Sequence, residues 1–191
     1  MYALIIHQRG AACQGLASPK YARLGIETEH TFMKILALGD VVGRRALDYL
    51  SRRLWRMRDT LGVDLVIANG ENTSEIHGLS AADADALLST GVDIITLGNH
   101  ALDMHQIHDY IDDCRYMARP MNLPPQQPGE GYCKIDIQGK TVCVVPLLGR
   151  VHMGRFDYDD PFRMIDNFLK NLPRWAAPSK KRTPLTLFPS R

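Results

Sequence analysis

Three apolar runs in this chain each end in a short polar cluster that contains glycine. Residues 35–38 run into Gly39-Asp40-Val41-Val42-Gly43, residues 65–68 into Asn69-Gly70-Glu71-Asn72, and residues 94–97 into Gly98-Asn99-His100. Short apolar runs bounded by turn signals read as buried strands, here over 33–38, 64–68 and 92–97. The segments between them have helical period. Leu47, Leu50, Leu54, Met57 and Leu61 recur at steps of three and four, which predicts a helix over 44–60 stopped by Gly62. Ser80 is placed to cap a second helix running to Thr90, with Gly91 as its stop. A third, over 104–114, would turn Ile107, Tyr110 and Ile111 inward. Strand and helix alternating three times is the order of βαβ units around a parallel sheet.

The pattern changes after residue 116. Residues 117–131 are rich in Pro and Gly and read as loop. Residues 132–137 and 141–147 alternate and are joined by Gln138-Gly139-Lys140, the pattern of an antiparallel hairpin. After a loop over 149–160, Pro161 fits the first turn of a helix capped by Asp160. Phe162, Ile165, Phe168, Leu169 and Leu172 give that helix an apolar face, and Pro173 is expected to stop it. Only a weak strand pattern, over 185–188, follows. Residues 1–32 show no sustained period and read as an irregular N-terminal extension, with natural translation from Met33 as the alternative. The expected organisation is this extension, one α/β domain over 33–172, and a basic Pro-rich tail over 173–191.

A chain of 191 residues, 45% hydrophobic and 23% charged, can bury the core of one domain. Its formal charge of +2 argues for neither nucleic acid nor an anionic membrane as partner. The charge is uneven: from Asn167 to Arg191 there is no acidic residue, while Lys170, Arg174, Lys180, Lys181, Arg182 and Arg191 are basic. That end could touch an anion, but a solvated tail is the expected reading. Cys13, Cys114, Cys133 and Cys143 form no CxxC pair, which excludes a zinc ribbon or thioredoxin-type motif. Cys133 and Cys143 could face each other across the hairpin, although buried reduced thiols are the preferred reading. No stretch approaches the roughly 20 apolar residues of a membrane-spanning helix. The first residues lack the basic start of a signal peptide. A cytoplasmic location is expected.

If the three apolar runs are neighbouring parallel strands, their polar clusters share one edge of the sheet, where ligands of open α/β sheets bind. Asp40, Glu71, Asn72, Asn99 and His100 then enter one crevice. Two carboxylates, two carboxamides and an imidazole suit divalent cations. Glu71 has two oxygens with which to bridge a pair of ions. His100 could coordinate, or protonate a leaving alkoxide. Singly, each has a plainer explanation: a strand-terminal Asp, an Asn-Gly turn, a structural His. Their joint occurrence after three strands carries the inference. Among the other histidines, His77 follows Glu71 and could approach the site. His105 and His108 share a helix face, and His152 lies in the 149–160 loop. Surface or loop positions are expected for all of these, as for His7 and His30.

The three clusters resemble those of calcineurin-like metallophosphoesterases, and most of all the bacterial YmdB-like branch, phosphodiesterases acting on 2′,3′- and 3′,5′-cyclic nucleotides. That branch carries Glu-Asn in the second cluster where most relatives carry Asp. Ile111-Asp112-Asp113, Arg119-Pro120-Met121-Asn122, Gly149-Arg150-Val151 and Asp160-Pro161-Phe162 extend the resemblance over about 33–172. It implies a β-sandwich flanked by helices (αββα), incomplete here at the C-terminus. It also implies two divalent metal ions, Fe or Mn, or fewer in this chain. Asp40 and Asn72 would hold one, Asn99 the other, Glu71 would bridge, and His100 would be the proton donor. The implied partner is a small cyclic nucleotide or phosphodiester, with no membrane and no stable nucleic-acid complex, and a homo-oligomer is left open.

The family continues into a Phe-His-Ala-Glu stretch and a Thr-His-Thr-His motif, which supply three histidine ligands. Neither occurs in this chain. From about Pro173 the basic, Pro-rich ending departs from the family pattern, and a frameshift or an early stop could produce such an ending. Two readings stand: a metal-dependent cyclic-nucleotide phosphodiesterase, or a truncated, inactive remnant that serves as a metal- or nucleotide-binding module. A Rossmann-like nucleotide binder ranks last, for want of a GxGxxG run.

Overall fold

The computed structural model describes residues 2–9, 33–74, 77–153 and 157–175, with the backbone alone for 2–9 and 172–175. In chain order the elements are β1 (Tyr2–Arg9), β2 (Ile35–Asp40), α1 (Gly43–Leu61), β3 (Leu65–Asn69), α2 (Ala81–Ser89), β4 (Ile94–Thr96), α3 (Ile107–Asp113), β5 (Met117–Ala118), β6 (Cys133–Ile137), β7 (Lys140–Leu147) and α4 (Pro161–Trp175). They form a parallel sheet ordered β2-β3-β4-β5 and an antiparallel sheet ordered β1-β7-β6.

Side-chain alternation along the strands builds the layers. In β3, Val66 and Ala68 join the core beneath α1, α2 and α3, while Leu65 and Ile67 join the core between the sheets. In β7, Val142 and Val144 meet them there, and Cys143, Val145 and Leu147 point the other way toward Phe168 of α4. The result is helices, sheet, sheet, helix, the αββα sandwich. Every residue of β3 and β4 is buried, as expected of parallel strands covered on both faces.

Local signals explain the helices. Leu47, Leu50 and Leu54 are the buried stripe of α1. Gly62 closes the helix at φ +62, with the Val63 N–H donating to the Arg58 carbonyl. Arg58 in turn donates to the Gly91 carbonyl and pairs with Asp93 at 2.9 Å, tying α1 to the approach of β4. The Ser80 hydroxyl accepts from the Asp83 N–H and caps α2. Asp160 caps α4 by accepting from the N–H groups of Phe162 and Arg163. The hairpin turns through Gln138 and Gly139, both at positive φ, between the paired residues Ile137 and Lys140. This is the primed turn whose twist matches that of the strands.

Several expectations need correction. Tyr2–Arg9 is not irregular: it pairs antiparallel with β7 from Tyr2↔Leu147 to Arg9↔Lys140. The pairing depends on a partner far along the chain, which local periodicity does not register. Residues 10–32, the 185–188 pattern and the tail from 176 onward lie outside the described residues. Within the segment read as loop, Met117 and Ala118 form a buried two-residue strand beside β4. α3 begins at Ile107 rather than near 104, after a series of turns. β4 begins at Ile94, since the Asp93 carboxylate, rather than a strand carbonyl, accepts the Val66 N–H.

The α4 backbone continues through Pro173 to Trp175. A proline in a last turn forfeits one hydrogen bond with little helix beyond it to disrupt. The Leu172 side chain lies outside the described residues, and among the described ones the apolar face is narrower than expected. Phe168 and Ile165 pack on the sheet, whereas Phe162 is 79% and Leu169 is 42% exposed. Leu61, counted in the α1 stripe, is likewise exposed at the helix end. Cys133 pairs in register with Val144, and Cys143 with Lys134, so the two thiols lie on opposite faces of the sheet. Both are buried and free.

Candidate metal-binding site

Hydrogen bonds between backbones draw three loops together at the C-terminal edge of the parallel sheet. A register shift between Leu38 and Asp40 sets Asp40 opposite Asn69. The Val41 N–H donates to the Asn69 carbonyl and the Gly43 N–H to the Asn72 carbonyl, both at 2.9 Å. The Gly70 N–H donates to the Thr96 carbonyl at 3.0 Å, joining the second cluster to the strand that leads into the third.

Glu71 is the buried centre of this arrangement, 5% exposed. The Asn69 Nδ2 donates to its Oε1 at 3.1 Å, and the Asn69 Oδ1 accepts from the Glu71 N–H. The His100 N–H donates to Oε2 at 2.8 Å. A Cβ on Gly98 would fall onto this carboxylate, so any larger residue there would displace it. Among the described residues no Lys, Arg or His forms an ion pair with Glu71. Its charge is met by neutral donors alone, with lone-pair directions left over.

Asp40 and Asn72 sit on the outer side. The Asn72 Nδ2 donates to Asp40 Oδ2 at 3.0 Å, and its Oδ1 lies 3.4 Å from His77 Nδ1. The His77 ring stacks on that of His100, centroids 4.5 Å apart and planes 10° from parallel. His100 Nδ1 is 2.7 Å from Asp103 Oδ2. Asn99 is half-buried between Gly98 and His100. Asp40, Glu71, Asn72 and His100 are thus joined through contacts, and Asn99 is held in the same loop.

Two participants were not legible as such in the sequence. Asn69 read as a turn residue, yet its side chain clamps Glu71; the Asn two positions before the Glu was the available signal. Asp103 escaped notice, although His100-x-x-Asp103 has the spacing of one turn. His77 does approach the site, as its position allowed. His105 and His108 do stack, with centroids 4.9 Å apart, but His108 Nε2 is engaged with the Leu102 carbonyl. His152 is exposed, at φ +60.

Other residues of the resembling stretches are scaffold. Asn122 is fully buried; its Oδ1 accepts from the Leu148 N–H, and its Nδ2 donates to the Leu148 and Asp159 carbonyls. The buried Arg119 donates to the carbonyls of Pro120, Pro128 and Gly129, closing the loop after β5. Burial lowers its pKa, opposed by the nearby Glu130 and Asp112 carboxylates.

The donor set can be tested against the ions that the resemblance implies. Asp40, Glu71, Asn72 and Asn99 offer oxygens from three loops, which fits one hard or borderline divalent cation. Among the described residues no three His, Cys, Asp or Glu side chains converge. A second ion therefore finds no comparable donor set among them.

An αββα sandwich with these donors at the edge of its parallel sheet has the metallophosphoesterase fold. Residues 36–182 match the family model described as YmdB-like protein, and the chain belongs to that family. It is 35% identical over 152 residues to a 2′,3′-cyclic-nucleotide 2′-phosphodiesterase of Bacillus subtilis, covering 80% of this chain and 54% of that protein. Among solved structures it resembles a hypothetical protein from Thermus thermophilus (TM-score 0.66, 36% identity, 72% of this chain and 53% of the other). It also resembles a novel phosphatase from Mycoplasma pneumoniae (TM-score 0.67, 26% identity, 73% of this chain and 51% of the other). The chain spans about half the length of the relatives it matches. Among the described residues no helix is long and apolar enough to cross a membrane.

Proposed function

We propose that this chain carries the carboxylate and imidazole loops of a metal-dependent phosphodiesterase acting on cyclic nucleotides. The observation that supports this reading is Glu71, a buried carboxylate met only by neutral donors. A buried anion is costly unless a cation balances it. Glu71, Asp40, Asn72 and Asn99 would hold a divalent ion, Mn or Fe. The chemistry such an ion supplies when bound is polarisation of a phosphoryl oxygen and acidification of a water.

The chain's own residues have separable tasks. Asn69 and the His100 N–H fix the Glu71 carboxylate in one orientation. Asp103 would accept from His100 Nδ1–H and so orient the ring, and Nε2 of the imidazolium form would be the nitrogen that donates a proton to the departing ribose oxygen. His77, stacked on the ring, restricts its rotation.

Metal content and hydrolysis of bis-p-nitrophenyl phosphate and 2′,3′-cyclic AMP, measured on one Mn-loaded sample, test the reading. Glu71→Gln should lose both bound Mn and turnover. His100→Ala should keep the metal and lose turnover by about 100-fold or more. No turnover above the Glu71→Gln background would sink the catalytic reading. The second reading, a binding module, is favoured by the lack of a three-ligand group among the described residues. It expects Mn binding without hydrolysis.

A further inference from the structure

The charge balance of the whole chain conceals a concentration on α1. This helix carries six arginines, Arg44, Arg45, Arg52, Arg53, Arg56 and Arg58, against the acidic Asp48 and Asp59. Arg44 is paired with Asp83 and Arg58 with Asp93. The other four are exposed, and among the described residues none of them makes an ion pair. At 3.6 residues per turn, Arg45, Arg52 and Arg56 fall on one outward line with the exposed Tyr49, and Arg53 lies over the Tyr49 ring at 5.0 Å. The line is about 16 Å long. It starts where α1 is stapled to the Asn72 carbonyl, beside Asp40.

We propose that this stripe binds the nucleotide chain of a single-stranded RNA whose 3′-terminal cyclic phosphate occupies the site at Asp40 and His100. The proposal rests on the phosphodiesterase reading and narrows its substrate class. A 2′,3′-cyclic phosphate arises when a ribose 2′-hydroxyl attacks the adjacent phosphodiester of RNA and expels the next 5′-hydroxyl. The same terminal group therefore sits on a free mononucleotide and on a longer chain. A mononucleotide leaves the stripe unused, whereas a chain held by its end brings its preceding phosphates past the N-terminus of α1. Guanidinium forks match phosphate oxygens, and an exposed tyrosine offers a stacking surface for a base. Asp48 and Asp59 interrupt the positive face, which suits a strand touching separate points better than a uniformly anionic bilayer.

The test uses the full chain and a short fluorescent RNA ending in a 2′,3′-cyclic phosphate, with binding followed by anisotropy between about 50 and 200 mM salt. Arg45→Glu, Arg52→Glu and Arg56→Glu combined should weaken RNA binding at least ten-fold and flatten the log–log salt slope by about 2. Hydrolysis of free 2′,3′-cyclic AMP should stay unchanged. The triple lysine variant, with the same charge and similar helix propensity, should keep the salt slope, so a folding defect in the glutamate variant cannot imitate the result. Equal RNA affinity in the wild type and the glutamate variant overturns the proposal. So does arginine-dependent binding to phosphatidylserine vesicles with no effect on RNA. Arginine-dependent RNA binding with no hydrolysis of any cyclic phosphate supports the stripe and counts against the phosphodiesterase reading alone.

Discussion

The parallel and antiparallel sheets share one core but differ in what their strand ends can do. In the parallel sheet a crossover helix follows β2 and β3, and α3 follows β4 before β5, so successive strands end on the same side. Their loops accumulate at one edge, and Asp40, Glu71, Asn72, Asn99 and His100 gather there. In the antiparallel sheet β6 turns straight back into β7 through Gln138 and Gly139, so successive strand ends fall on opposite sides. Polar groups on such loops cannot converge in the same way. The two sheets are also buried differently. β3 and β4 are covered on both faces, whereas α4 reaches its sheet through Ile165 and Phe168 and leaves Phe162 and Leu169 in solvent.

This contrast makes the largest expected effect one of packing. Leu54 of α1 is fully buried, and Leu54→Ala should cost about 2–5 kcal/mol by urea unfolding. Leu169→Ala on α4 should stay within about 0.5 kcal/mol. Comparable losses at the two positions would break the comparison between the two helical layers.

A smaller effect belongs to the antiparallel side and appears with pH. Burial pushes the Cys143 thiol up to about 11, partly offset by the Lys134 charge. Between a pH near 9 and 11 the unfolded chain releases this proton while the folded chain keeps it. The stabilisation is therefore complete below about pH 9 and is lost as pH rises to about 11. Urea midpoints across that range should fall more steeply for the wild type than for Cys143→Ala, and parallel curves would exclude the thiol as the source.

A loss smaller than that at Leu54 or Cys143 is expected at the site. Asn69→Ala removes one clamp on Glu71 but leaves the His100 N–H, and should cost about 1 kcal/mol. Its Mn affinity should fall out of proportion to that loss. Unchanged Mn binding by calorimetry would show that the Asn69 side chain serves the turn alone.

What could be read in advance divides along the same line. The helices of the parallel layer announce themselves through Leu47, Leu50 and Leu54, through the Ser80 cap and through Gly62, because these signals act within a few residues. The polar clusters were legible because each follows its strand directly. Pairings between distant segments were not legible. The Tyr2–Arg9 strand exists through β7, and Met117–Ala118 through β4. At the site, the types of the donors could be read, but not the orientation of Glu71 by Asn69 or of His100 by Asp103.

By itself the sequence determined the alternation of β2, β3 and β4 with their helices, the β6–β7 hairpin, the cap and turn residues, and which side chains stand at the strand ends. Those follow from period, propensity and backbone conformation, which are properties of neighbouring residues. Only the tertiary structure decided that α4 turns Ile165 and Phe168 inward and leaves Phe162 and Leu169 exposed, that Cys133 and Cys143 face opposite layers, and that Glu71 is buried against Gly98 with neutral partners. Those outcomes depend on which distant surfaces meet, and a local pattern cannot encode a contact whose other half lies far away along the chain.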